Sequence, residues 1–224
     1  MPLLPHYTHI VNPKLKHTYL SFDDEGTLLI KSPGVSNRCI EQLLLKKSAW
    51  INRSREKLLQ KKGKRATFHG DDVLYYLGSP YTLKLEKSGA KRARLTFGHN
   101  GFLLDYGHYD ETVFQKQIDN FYKTQAQAFI PPLVESHARD MGLLPSKIRF
   151  RKAKRQWGSC SGKNVLSFNT MLMKLPPEAI AYVIVHELAH IRHKHHQKAF
   201  WELVGKQMPD YRGNMAILKT YTTQ

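Results

Sequence analysis

Cysteine is nearly absent. The 224 residues contain two, Cys39 and Cys160, which excludes a disulfide-stapled scaffold and fits a reducing compartment, so a cytoplasmic location is expected. Long apolar runs are missing too. The longest near the chemistry described below, Ala179 to Val185, is far short of the ~20 residues a membrane-spanning helix needs. Met1 to Pro5 is too short an apolar start for a signal peptide, and no internal repeat or low-complexity tract occurs. Carboxylates are also scarce: 18 stand against 35 Lys and Arg, a net charge of +17. None lies between Asp140 and Glu178, a stretch that holds Lys147, Arg149, Arg151, Lys152, Lys154, Arg155, Lys163 and Lys174. Such an excess attracts carboxylates, phosphates or a nucleic-acid backbone, so nucleic-acid association is one expectation and a solvated basic face the other. Hydrophobic residues at 41% with 11% aromatics exclude a disordered polyelectrolyte and are enough for a core.

The first 110 residues read as strands around one helix. Alternation over His17 to Phe22 and Thr27 to Lys31, joined by Asp23-Asp24-Glu25-Gly26, predicts a hairpin. Ser36 is placed to cap a helix carrying Ile40, Leu43, Leu44, Ile51 and Leu58, ended by Lys61-Lys62-Gly63. Cys39 falls within that amphipathic helix and is expected to be buried. Strand pairs follow around Gly78-Ser79-Pro80 and His99-Asn100-Gly101. From Glu111 to about Met141 the apolar spacing predicts a long helix, interrupted or kinked at Pro131-Pro132 and stopped by Gly142. The composition shifts there, so the chain divides into a β-rich region, 1–110, and a second domain, 111–224. Short β runs at Lys147 to Arg151 and Asn164 to Phe168 flank Gln156-Trp157-Gly158-Ser159-Cys160, and Pro176-Pro177-Glu178 opens a helix that runs into a histidine cluster. The class is α+β.

That helix carries His186-Glu187-Leu188-Ala189-His190, an H-E-x-x-H sequence. A spacing of i, i+4 puts both imidazoles on one face, one turn apart, where their nitrogens can converge on a cation. Glu187 is then beside the ion, close enough to take a proton from a water acidified by zinc. The plainer alternative is a solvated helix face. A third ligand cannot come from the same straight helix: His193, seven residues after His186, lies about 10 Å further along the axis. The chain must turn and return a ligand, and His196 has the spacing of the H-E-x-x-H-x-x-G-x-x-H pattern, with His195 the alternative. His193 stands where that pattern has glycine, and histidine tolerates the positive φ expected there. Cys160 as a fourth ligand would fill the position a catalytic water needs.

Trp157-Gly158-Ser159-Cys160-Ser161, Asn169 with Leu172, Tyr182 to His190, His196, Phe200-Trp201 and Pro209-Asp210-Tyr211, with Tyr76-Leu77-Gly78 and Tyr81 earlier, together resemble the YgjP-like metallopeptidase-domain family. The resemblance implies a zincin-like catalytic domain, its H-E-x-x-H helix next to a small β-sheet. It also implies one Zn2+ held at positions matching His186, His190 and His196, with Glu187 catalytic. Members usually read Asn-His-Ser around the third ligand; this chain reads His195-His196-Gln197.

The expected function is a zinc-dependent hydrolase, most simply a metallopeptidase. The alternatives are a metal-dependent hydrolase of a nucleotide or other phosphate-containing small molecule, or a non-catalytic nucleic-acid-binding protein with structural zinc. Substrate contacts are expected from Trp157, Gly158 and Ser159, on a strand that can pair with an extended peptide, and from Arg151 and Arg155. Asn169 and Tyr211 are candidates to orient a histidine or stabilise an oxyanion. The plain reading of Trp157 to Cys160 is core packing, and Phe200 and Trp201 are expected to pin the turn after His190.

Overall fold

A computed structural model describes residues 5–23 and 26–223, and the chain forms two compact units, Met1–Lys61 and Lys62–Gln224. In the first unit, β1 (Tyr7–Val11), β2 (Tyr19–Phe22) and β3 (Leu28–Ser32) form a sheet in the order β1-β3-β2. The expected hairpin is the antiparallel pair β2 and β3; Asp24 and Glu25 of its turn lie outside the described residues, as do Met1 to Leu4. Helix α1 (Asn37–Leu59) is capped by Ser36, whose hydroxyl accepts from the Cys39 amide. Leu28 and Ile30 of β3 bury against Ile40, Leu44 and Ile51 of α1. Cys39 is exposed, not buried, because the core phase of α1 passes through Ile40 one residue on.

In the second unit, β4 (Val73–Tyr76), β5 (Ser79–Lys87), β6 (Arg94–Gly98) and β7 (Gly101–Tyr106) form a sheet in the order β4-β5-β7-β6, with β5 and β7 parallel. The first turn is Leu77-Gly78, both with positive φ, which matches strand twist better than the expected Gly78-Ser79-Pro80; Ser79 and Pro80 pair within β5. Phe102 and Leu104 of this sheet share one core with Phe114, Ile118 and Tyr122 of α2 (Glu111–Met141). The composition boundary near residue 110 therefore falls inside the second unit. Helix α2 runs through Pro131 and Pro132 without interruption. Proline within a helix costs about 3 kcal/mol. Buried Ile130 and Val134 hold this stretch to the core, and the carbonyls left without amide partners belong to exposed Gln127 and Ala128, open to water.

A smaller sheet has the order β8-β10-β9, from β8 (Lys147–Arg151), β9 (Gly158–Cys160) and β10 (Val165–Asn169). Ile148 and Phe150 face the core while Lys147, Arg149 and Arg151 are exposed on the other side. Three helices follow: α3 (Pro177–Arg192), α4 (Lys198–Gln207) and α5 (Tyr211–Lys219). Among the described residues no helix is long and apolar enough to cross a membrane.

Candidate metal centre

Helix α3 starts at Pro177, whose missing amide is no loss in a first turn, with Glu178 complementing the dipole. Ile180, Val183, Ile184, Leu188 and Ala189 bury it, fixing the rotation that turns His186 and His190 toward α4. The helix ends at His193, whose amide still reaches the Ala189 carbonyl while its backbone is extended, φ −121° and ψ 101°. The expected positive φ at His193 is thus not needed: one extended residue is enough to turn the chain so that His196 returns.

The His196 Nε2 lies 3.0 Å from His186 Nε2 and 3.1 Å from His190 Nε2. These three side chains are the one cluster of metal-ligating type among the described residues that closes on a point. Nitrogen lone pairs this close repel unless a proton or a cation lies among them. Burial, reinforced by His190 and His196, pushes His186 down to about 3, and burial lowers His190 against the opposing bond to the His193 carbonyl. Three Nε2 atoms converging on one point fit a cation. Two ligands ~2.1 Å from one tetrahedral ion stand ~3.4 Å apart, a few tenths of an ångström more than the separations observed. The far ring nitrogens suit this. His190 Nδ1 donates to the His193 carbonyl at 2.9 Å, and His186 Nδ1 is 3.3 Å from the Tyr182 hydroxyl, so each ring can keep its Nε2 lone pair for an ion. Phe200, fully buried, packs its ring against all three imidazoles, and Trp201 stacks on His196.

Glu187 is 6% exposed. Its Oε2 is buried and has no hydrogen-bond partner among the described residues. Burial raises its pKa to about 7 against the opposing pull of Arg151. A buried, unpartnered carboxylate oxygen beside three metal-ligating nitrogens is suited to holding a water's proton.

The other sequence candidates separate into near and far. Gly158 abuts Glu187 directly: a β-carbon there would stand 2.7 Å from Glu187 Cγ and Oε1. Ser159 accepts from Arg151 Nη2 at 3.2 Å, and Arg151 is near enough to oppose the upward shift of Glu187. Trp157 is partly buried against the core, its carbonyl accepting from the Asn169 amide. Asn169 does not reach the histidines; its amide donates to the carbonyls of Ala153, Gln156 and Thr223, and its Oδ1 caps the turn at Met171. Arg155 is exposed in the 152–157 loop, with no hydrogen bond or ion pair to the cluster among the described residues. Tyr211 meets the site through Trp201, on which it stacks. Cys160 stays apart, its Sγ 4.0 Å from Lys194 Nζ. Tyr182 escaped the sequence reading although it lies four residues before His186, the same helical spacing that marked His190.

The model of the family described as YgjP-like, metallopeptidase domain, matches residues 16–221, and the chain belongs to that family. Two solved metallopeptidase zymogens resemble parts of it. Abylysin of Pyrococcus abyssi is 23% identical over 42% of this chain and 99% of its own, with a TM-score of 0.38. Jannalysin of Methanocaldococcus jannaschii is 21% identical over 39% of this chain and 93% of its own, with a TM-score of 0.34. No curated protein matches the chain.

Proposed function

We propose that this YgjP-like chain is a zinc-dependent peptidase, with His186, His190 and His196 holding one Zn2+ and Glu187 acting as general base. The observation that carries this reading is the convergence of three Nε2 atoms next to a buried carboxylate oxygen that has no partner. When bound, the ion acidifies a water and polarises the substrate carbonyl. Glu187 Oε2 takes the proton of that water and delivers it to the leaving amine. Phe200 and Trp201 cover ring faces of the imidazoles, while His196 stays exposed.

The substrate enters as an extended segment along β9. That strand is the edge of its sheet and runs beside the Glu187 carboxylate at Gly158, so main-chain pairing there would bring a peptide carbonyl to the histidines. The test is metal analysis joined to a hydrolysis screen of peptides and nucleotides, comparing wild type with Glu187→Gln. One zinc per chain in both proteins, with peptide turnover at least ~100-fold lower in the variant, is expected. Full turnover in the variant, or cleavage confined to nucleotides, would refute the reading.

A further inference from the structure

We infer that the groove between α4 and α5 is a substrate subsite for an acidic side chain, with Arg212 pairing its carboxylate; this rests on the peptidase reading above. The groove is open to solvent, has a volume of about 730 Å³, and is lined by Lys198, Trp201, Glu202, Tyr211, Arg212 and Met215. It begins one ring away from the histidines: Trp201 stacks on His196 at 5.6 Å and 24°, and on Tyr211 at 5.4 Å and 19°. A substrate held at the cluster therefore has its neighbouring residues within reach of the groove.

The lining dictates the occupant. Trp201, Tyr211 and Met215 offer apolar surface for methylene groups. Of the charged residues, Lys198 and Glu202 face each other at 3.7 Å and offset one another. Arg212 lies over the Tyr211 ring at 5.5 Å, and no carboxylate is within ion-pair distance of it among the described residues. A guanidinium beside an aromatic ring, with no carboxylate at hand, keeps N–H groups for one. An apolar wall ending in one uncompensated cation matches an Asp or Glu side chain.

Strand β8 carries charge of the same sign. Lys147, Arg149 and Arg151 are exposed at alternate positions of β8, ~6.6 Å apart, the repeat of same-side residues in an extended peptide. A single-stranded nucleic acid fits less well. The aromatic residues of β8 and its neighbour β10, Phe150 and Phe168, turn inward, and Trp201 and Tyr211 already stack on each other, so none of these four rings offers a free face to a base.

Titration calorimetry on zinc-dialysed Glu187→Gln protein tests this. Three decapeptides are compared: one with Phe and two Glu, acetylated and amidated; the same with Gln for Glu; and the Gln peptide with a free C-terminal carboxylate. At low salt the Glu peptide is expected to bind at least tenfold tighter than the amidated Gln peptide. That preference should fall to within twofold when Arg212→Met is added, and partly return with Arg212→Lys. Equal binding of the Glu and Gln peptides, a preference that survives Arg212→Met, full affinity for the free-carboxylate Gln peptide, or displacement of the Glu peptide by oligothymidylate at equal anion concentration would each overturn it. The two readings fail separately. Protein that shows the preference while its wild type cleaves nothing loses the peptidase assignment and keeps the subsite. Wild type that cleaves both amidated peptides equally well loses the subsite and keeps the peptidase.

Discussion

Gly158 and Glu187 are matched in space: the glycine has no β-carbon, and the volume one would take is filled by the glutamate side chain, 2.7 Å away at both Cγ and Oε1. Gly158 sits in β9 opposite Phe168 and is not among the residues of positive φ, so close approach and not backbone conformation requires it. Gly158→Ala should force Glu187 aside. The expected result is folded protein, destabilised by about 1–3 kcal/mol as overpacked sites are, that binds zinc normally but has turnover reduced at least ~10-fold. Thermal denaturation and a peptide assay measure the two effects, and unchanged turnover would mean that the Glu187 position is not critical.

Tyr182 reaches the Nδ1 of His186 through its hydroxyl, 3.3 Å away. Removing a group that orients a metal-binding histidine commonly lowers affinity 10- to 100-fold. Tyr182→Phe should therefore weaken zinc binding by about 10-fold in a chelator competition, with little loss of stability because the buried ring is kept. Unaltered affinity would show that the hydroxyl plays no part in holding the imidazole.

Three histidines follow His190 within six residues, and only the side chain of His196 joins the cluster. His193 contributes its backbone carbonyl to His190 Nδ1, which alanine would retain. His196→Ala should release zinc on dialysis, a loss of at least ~100-fold in affinity, larger than any orienting partner supplies. His193→Ala and His195→Ala should each stay within about threefold of wild type. Metal content after dialysis decides, and the reverse order would move the third ligand.

Lys174 is buried in the second unit, donating to the Gly63 carbonyl and lying over the Tyr122 ring. Burial, helped by Lys152 and opposed by Asp119, lowers its pKa from 10.5 to about 7. Between those values the unfolded chain binds more protons than the folded one, so this residue's contribution to stability rises with pH across the window and is lost as pH falls toward 7. Relative to Lys174→Met, wild type should gain on the order of a few kcal/mol between pH 7 and 10. Denaturant unfolding at several pH values reads this difference; parallel curves would show that Lys174 keeps an ordinary pKa in the fold.

Local signals carried much of the architecture. Ser36 before an apolar helical repeat caps α1, Asp110 and Gly142 bound α2, and the hairpin turns fall within a residue or two of their glycines. What escaped was non-local. The parallel pairings of β1 with β3 and β5 with β7 leave no mark on alternation, which is the same whichever strand lies alongside. The boundary placed near residue 110 failed to anticipate that Phe102 and Phe114, on either side of it, bury in one core. Asn169 looked like a site residue because its chemistry suits one, yet its amide serves the carbonyls of the 153–156 loop and Thr223.

The sequence by itself determined that two imidazoles share a helical face with a glutamate between them, since i, i+4 spacing and 3.6 residues per turn allow nothing else once α3 forms. It also determined the sign of the field, through a stretch of 37 residues without a carboxylate. Only the tertiary structure decided that His196 and not its neighbours closes the cluster, that Gly158 makes room for Glu187, and that Arg212 lines a groove with no carboxylate within ion-pair distance among the described residues. Those relations depend on the path of the chain after His193 and on the packing of β9 and α5, and distances between residues far apart in sequence are not encoded in any local pattern.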